Sequence, residues 1–372
     1  MHVLGVEMRD FRTYARGSAR LGSGLTVVHG PNGAGKSNLL EAVYFGCTGR
    51  SPRTRAEREL VRFGARATRV AVAVSDQGRE HELTVGYSAP APGEAAVKRM
   101  TCDGAIVERL LDVPVRPLIS VFMPDRLELL KGPPALRRAH LDNVISALWP
   151  TRTATRREYS RVLAQRNALL GRIRAGRASD TALPTWDREL AGKALALRAD
   201  REQAVALLAD PFPGRATQLG LSGTVSLEYR PRSGALDEEA FVAELAQRRS
   251  ADLERGFSGH GPHRDELAIL RDGRELRNYG SQGEQRLALL ALLLTERALL
   301  ASERGTTPLM LLDDVMSELD ERRRELLASE LSSGGQSVIA TTDLGHVPGA
   351  SGAGVTRVAI SPGTVLQEAL AA

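Results

Sequence analysis

Eight consecutive residues, Gly30-Pro31-Asn32-Gly33-Ala34-Gly35-Lys36-Ser37, constrain this chain more than anything else in it. They satisfy the phosphate-loop pattern G-x-x-x-x-G-K-[ST] at every position. Glycines let successive backbone N–H groups turn inward as a nest for an anion, and a helix starting near Lys36 adds the partial positive charge of its N-terminus. Lys36 can then reach β- and γ-phosphates, and the Ser37 hydroxyl can ligate Mg²⁺. Residues 25–29 read as a strand before the loop, and Leu39, Leu40, Val43, Tyr44 and Cys47 recur at helical spacing after it. A chance glycine-rich turn would lack that context. The expected ligand is ATP with Mg²⁺.

A phosphate loop of this kind needs an acid at the end of a buried strand. Leu309-Met310-Leu311-Leu312-Asp313-Asp314 supplies it, four apolar residues running into two carboxylates. Burying a carboxylate is costly without a cation or donors beside it. Asp313 is therefore expected to hold Mg²⁺ through its water shell, and Asp314 to polarise the attacking water. The plainer alternative is an acidic helix cap, but Asp320 already offers a better cap for the helix that follows.

About 270 residues separate the loop from this strand, yet the two strands are expected to be neighbours in one sheet. The intervening chain must leave the sheet and return. Its composition agrees: 135–148, 155–173 and 186–208 read as amphipathic helices, followed by a short strand at 224–229 and a helix over 237–255. No heptads persist over many turns, which excludes a long coiled coil. Afterwards come a hairpin at 266–276 turning on Asp272-Gly273, a helix from 283, and strands at 309–312 and 337–340. The expected class is α/β, with a split head at 1–130 plus 257–372 and a helical lobe inserted at 131–256.

Charge is less informative. The net charge is +5, from 50 Lys+Arg against 45 Asp+Glu, and only four of the cations are lysines. Arginine in place of lysine, with abundant Ala and Gly, reads as a GC-rich coding bias before it reads as nucleic-acid binding. Arg137, Arg138, Arg152, Arg156, Arg157 and Arg161 cluster where the helical lobe begins, and a solvated helix face is the plain reading. Arg12 is expected near the nucleotide edge. His260 and His263 flank Gly261-Pro262 without nearby cysteines or paired carboxylates, a turn before a strand rather than a zinc site. Cys47 and Cys102 lie far apart, as in a reduced cytosolic protein. The N-terminus lacks the basic start and apolar run of a signal peptide, and no apolar stretch is long enough to span a bilayer. A cytoplasmic protein with no membrane partner is expected.

Ser281-Gln282-Gly283-Glu284-Gln285-Arg286 resembles the signature loop of ABC-type ATPases, and it opens the helix that leads to the Asp313 strand. Ser317-Glu318-Leu319-Asp320 resembles their D-loop, and Thr341-Thr342-Asp343 stands where the switch loop would be. Met123 occupies the place of the Q-loop glutamine of transporters, and Asp343 that of the switch histidine. A more specific resemblance, to the RecF family of recombinational repair proteins, runs along nearly the whole chain. It is carried by Asp10-Phe11-Arg12-Thr13-Tyr14, the phosphate loop with Asn38-Leu39-Leu40-Glu41-Ala42, Thr48-Gly49-Arg50-Ser51, Pro124-Asp125-Arg126-Leu127, Lys131-Gly132-Pro133-Pro134, Arg137-Arg138, Gly261-Pro262-His263-Arg264-Asp265 and 312–320.

This resemblance implies a split P-loop ABC-type ATPase head that dimerises on ATP, each nucleotide sandwiched between one phosphate loop and the Ser281 to Glu284 loop of a second copy. It also implies a slow, DNA-stimulated ATPase that clamps double-stranded DNA near gaps and, with RecO and RecR, helps load the recombinase, and it offers DNA phosphates as the alternative partners for some of Arg137, Arg138, Arg152, Arg156, Arg157 and Arg161. Without the partner, Ser281 and Glu284 make an ordinary capping box. A transporter ATPase subunit is the competing class, but there the signature loop lies far nearer the phosphate loop. A chromosome-organising head would need long coiled coils.

Overall fold

The computed structural model describes residues 1–90, 94–123, 127–332 and 334–367; the Pro124-Asp125-Arg126 hallmark lies outside them. In chain order come β1 (His2–Phe11), β2 (Tyr14–Arg20), β3 (Leu25–His29), α1 (Lys36–Thr48), β4 (Ala67–Asp76), β5 (Arg79–Ser88), β6 (Val97–Cys102), β7 (Ala105–Val107) and β8 (Ile119–Phe122). The middle is α2 (Glu128–Lys131), α3 (Pro134–Leu148), α4 (Thr153–Arg174), α5 (Leu183–Ala209), α6 (Phe212–Gln218), β9 (Val225–Arg230), α7 (Glu238–Gln247) and α8 (Arg249–Arg255). Then follow β10 (Glu266–Arg271), β11 (Arg274–Glu275), α9 (Leu276–Tyr279), α10 (Gln282–Arg304), β12 (Leu309–Asp313), α11 (Glu321–Ser332), β13 (Ser337–Thr341), β14 (Thr356–Ser361) and β15 (Thr364–Gln367).

The chain divides into two compact units, Met1–Arg126 with Leu300–Ala372, and Leu127–Leu299. The first holds two six-stranded sheets. One is an antiparallel meander in the order β2-β1-β4-β5-β6-β7; the other has the order β15-β14-β3-β13-β12-β8, parallel except for β15. Helix α1 is buried nearly all round, as a helix packed between two sheets must be. Its Gly46 comes so close to the meander that a Cβ there would sit 2.3 Å from Val72.

In this sheet the loop strand and the acid strand are not neighbours, contrary to the expectation from sequence. Strand β13 lies between them, paired through Ala340 with both Val28 of β3 and Asp313 of β12. A strand buried at all five residues, as β13 is, belongs in the middle of a sheet covered on both faces.

The second unit is mainly helical, and it carries the three-stranded sheet β11-β10-β9. Because β10 pairs with β9, residues 257–299 fall with the helices, and the return to the first unit comes at Leu300 rather than 257. The helix expected over 237–255 is interrupted at Arg248, whose ψ of 2° leaves helical geometry, giving α7 and α8. The restart presents Asp252 to Arg166, both wholly buried. Among the described residues no helix is long and apolar enough to cross a membrane.

Gln336, just ahead of β13, ties the two sheets of the first unit together. Its amide donates to the carbonyls of Val3 (2.6 Å) and Gly22 (2.7 Å), and its Oε1 accepts from the Val3 N–H at 2.8 Å. Gln336→Ala would strand two buried backbone groups of Val3 and the half-buried Gly22 carbonyl, each buried one costing about 1–3 kcal/mol. A fall in unfolding free energy of about 3 kcal/mol is expected by urea denaturation; an unchanged midpoint would remove Gln336 from this role.

Candidate functional site

Strand β3 delivers the chain to Gly30, where a Cβ would lie 2.2 Å from the Ile360 carbonyl oxygen of β14, so only glycine passes. At Gly35 the backbone takes φ 120°, and a Cβ would meet Tyr14 Oη at 2.7 Å. That phenol donates to the Gly35 carbonyl at 2.9 Å, and burial pushes its pKa far above the ordinary value, so it stays a neutral donor. Helix α1 begins at Lys36 with no side chain capping it, and the N–H groups of Gly33 and Gly35 have no backbone partner among the described residues. Unsatisfied donors at a helix start form an anion site. Lys36 Nζ bridges the loop, donating to the carbonyls of Gly30 (2.8 Å) and Pro31 (3.0 Å). Burial pulls its pKa down, opposed by the carboxylates of Asp314 and Asp313.

Those two acids end β12 on the same sheet edge as the loop. Asp313 is 6% exposed. Burial raises its pKa, countered by a hydrogen bond with the Ser37 side chain and the charge of Arg53, while Asp314 adds to the rise. Asp314 adopts φ 52°, a left-handed geometry that costs a non-glycine residue about 1–2 kcal/mol. Its N–H donates to the Ala340 carbonyl at 3.0 Å, and its Oδ1 is sealed from solvent with no partner among the described residues. One hydroxyl, one buried carboxylate and one unpartnered carboxylate oxygen suit Mg²⁺, which takes few protein ligands and completes its shell with phosphate and water. No cluster of three or more acidic, histidine or cysteine side chains that could cage a metal exists among the described residues. Ser37 and Asp313 are the groups that would hold the ion.

Around this edge, Ser317 Oγ donates to the Asp314 carbonyl at 2.9 Å. Asp320 caps α11, its Oδ1 accepting from the Arg323 N–H at 2.9 Å. Asp343 caps the turn after β13, accepting from the Gly345 N–H at 2.8 Å. Met123, where transporters have glutamine, is core packing at 1% exposure. Ser281, Gln282, Gly283 and Glu284 belong to the second unit. There Glu284 accepts from the Ser281 N–H at 2.8 Å, its own N–H donates to Ser281 Oγ at 3.3 Å, and Arg271 pairs with its carboxylate, so the capping box forms. Ser281, Gln282 and Gly283 stay exposed.

Several arginines take structural places. Arg137, read as part of a solvated helix face, is 4% exposed and holds Glu266 through two bonds of 2.6 and 2.8 Å. Arg156 and Arg152 pair with Asp142 and Asp200. His263 accepts or donates at Tyr159 Oη, 2.6 Å away, and His260 meets Glu244 Oε2 at 2.5 Å, in a turn ahead of β10.

Glu41, named at the sequence level only within a motif, is the hub of the site's flank. It is wholly buried on α1, and takes Arg12 through Nε (2.9 Å) and Nη2 (2.8 Å), Ser51 Oγ (2.5 Å) and Arg53 Nη1 (3.3 Å). Arg53 also bonds Asn38 Oδ1 at 3.1 Å, and Asn38 donates to Thr13 Oγ1 at 3.0 Å. Arg12 thus lies beside the phosphate loop, but its guanidinium is committed to Glu41. The signal was present: a lone carboxylate between Leu39-Leu40 and Ala42-Val43 on a helix buried all round demands cations.

The parallel sheet, the phosphate loop and the acid pair on one edge define a P-loop ATPase of the ABC type. A family model for the AAA domain matches residues 6–88. The chain is 37% identical to the DNA replication and repair protein RecF of Streptomyces avermitilis, over 98% of this chain and 99% of that one. It superposes on a solved structure of the recombination mediator protein RecF with ATP, in the RecFOR pathway, with TM-score 0.86 and 28% identity, covering 99% and 98% of the two chains. An Smc head bound to the C-terminal winged-helix domain of ScpA shares the fold alone, with TM-score 0.59 at 16% identity over 100% and 98%. The chain belongs to the RecF family of DNA replication and repair proteins.

Glu41→Ala would leave Arg12 and Arg53 without their counter-charge. Breaking a buried pair from one side costs about 3 kcal/mol, and a loss of that size is expected in chemical denaturation. A variant as stable as the parent would show that the cluster does not hold the flank together.

Proposed function

We propose that this chain is an ATP-dependent DNA-binding protein of recombinational repair and replication restart. Two copies close on ATP, clamp double-stranded DNA near gaps and, with RecO and RecR, promote recombinase loading. One observation carries the reading: the uncapped start of α1, Lys36 and the Asp313–Asp314 pair meet at one sheet edge, with Asp314 Oδ1 buried and unpartnered. Membership of the RecF family, and the ATP carried by the similar solved RecF structure, support it.

In this reading Gly30, Pro31, Asn32, Gly33, Ala34 and Gly35 wrap the phosphates with backbone N–H groups. Lys36 exchanges its two loop carbonyls for β- and γ-phosphate oxygens, which keeps its ammonium paired throughout. Ser37 and Asp313 hold Mg²⁺, which would neutralise charge developing on the transferred phosphoryl group. Asp314 orients a water through the oxygen that has no partner and accepts its proton. The Asp314 backbone is held in left-handed geometry at the strand end. Ser281, Gln282, Gly283 and Glu284 present a rigid helix start to the γ-phosphate held by a second copy, and Ser317 and Asp320 carry the D-loop beside it. Hydrolysis serves as a slow timing step stimulated by DNA.

Binding to duplex, gapped and single-stranded DNA, each with and without ATP, tests this. ATP should tighten duplex binding. Lys36→Ala should lose ATP affinity about a hundredfold, from one or two charge-assisted bonds at roughly 1.5–3 kcal/mol each, and with it the ATP effect on DNA. Equal DNA affinity with and without ATP in the parent protein would sink the clamp reading. Asp314→Asn should still bind ATP but turn over about 10²–10⁴-fold more slowly; full turnover, measured as phosphate release, would take the water-activating role away from Asp314.

A further inference from the structure

Between α1 and β4 runs segment 50–66, with six arginines (Arg50, Arg53, Arg55, Arg58, Arg62 and Arg66) and two glutamates. It is anchored firmly. Ser51 and Arg53 are tied to Glu41; Leu60 is buried, and its carbonyl accepts from the Arg12 N–H at 2.8 Å. Arg62 bonds Asp10 twice, through its N–H and through Nε, both at 2.8 Å, and Val61 bridges Phe11. Glu57 is matched by Lys98.

That leaves Arg50, Arg55, Arg58 and Arg66 exposed, with no counter-charge or side-chain hydrogen bond among the described residues, against one unmatched acid, Glu59. At the tip of the same segment stands Phe63, 99% exposed, ahead of Gly64 at φ 84°. Phe63 is the most exposed large apolar side chain among the described residues. An apolar protein surface would have to strip water from the surrounding arginines without replacing it. A polyanion with flat apolar faces matches both features at once: arginines on backbone phosphates, the ring on a base.

We propose that this segment is the surface on which the chain holds DNA, with Arg50, Arg55, Arg58 and Arg66 on phosphates and Phe63 stacked on the base left open where a gap ends the duplex. The inference rests on the DNA-binding reading above and adds its location and its means of recognising a gap. The segment is hung on the Asp10 to Tyr14 hairpin, the same hairpin whose Tyr14 holds the Gly35 carbonyl of the phosphate loop. DNA and nucleotide therefore bear on one piece of backbone.

The test compares the full-length protein with Arg55→Ala/Arg58→Ala and Phe63→Ala, using fluorescence anisotropy with ATP on one duplex, intact or gapped, across a salt series. The arginine pair should weaken binding to both DNAs and flatten the log–log salt slope by about two. Phe63→Ala should keep the intact-duplex affinity and slope but lose about tenfold on gapped DNA. An unchanged slope in the arginine variant, or a Phe63→Ala loss that is absent or equal on both DNAs, overturns the assignment. Failure of the parent protein to bind either DNA would instead remove the function proposed above. Thermal melting and ATP affinity serve as controls, with Arg55→Gln/Arg58→Gln and Phe63→Ser as replacements for any variant that melts early.

Discussion

The site depends on the registration of three parallel strands. His29 of β3 lies opposite Thr341 of β13, and Ala340 lies opposite Asp313 of β12, so three loops leave the sheet at one level. Parallel pairing forces this: each strand contributes its carboxyl end to the same edge, where ligands of open α/β sheets bind. The price is that one dipole-rich edge collects two carboxylates, and the fold answers with Lys36, Ser37 and Arg53 around Asp313. What remains without a partner among the described residues is Asp314 Oδ1.

The edge also has a flank, and α1 builds it. Because α1 is packed between two sheets, its Glu41 cannot reach water, and it draws in Arg12 from the β1–β2 turn and Arg53 from the loop after the helix. Two segments far apart in sequence are thereby pinned beside the phosphate loop. Tyr14 pins the same turn from the other side through the Gly35 carbonyl. Any change in loop geometry on binding phosphate would be felt first by this turn, since its hydrogen bonds are shared with the loop.

Much of this was legible in the sequence because its signals are local. The phosphate loop needs glycines at fixed spacing, and β12 needs four apolar residues before Asp313, so both could be read from short windows. The long insertion followed from the distance between them. The position of β13 was not legible, since nothing in Ser337 to Thr341 says which two strands it separates; that is a long-range pairing decision. The break at Arg248 was hidden for a related reason: it serves Asp252, whose partner Arg166 is 86 residues away. The cap at Asp320 was legible as an acid just ahead of a helix, while the turn that Asp343 caps, through the N–H two residues on, was not read.

Charge was the feature least readable from composition. Many arginines counted toward the surplus are consumed inside the molecule: Arg166 by Asp187 and Asp252, Arg201 by Asp142 and Asp265, Arg137 by Glu266. Arginine suits such places because its planar fork satisfies two carboxylate oxygens at once, and a buried pair is tolerable only when its hydrogen bonds are complete. These pairs cancel within the second unit and contribute nothing to the field that a polyanion would meet. A net charge of +5 therefore understates how unevenly the free cations are distributed. Segment 50–66 keeps four arginines in water while its own acids are matched or outnumbered, so the attraction is concentrated on a short, well-anchored stretch of backbone next to the nucleotide edge.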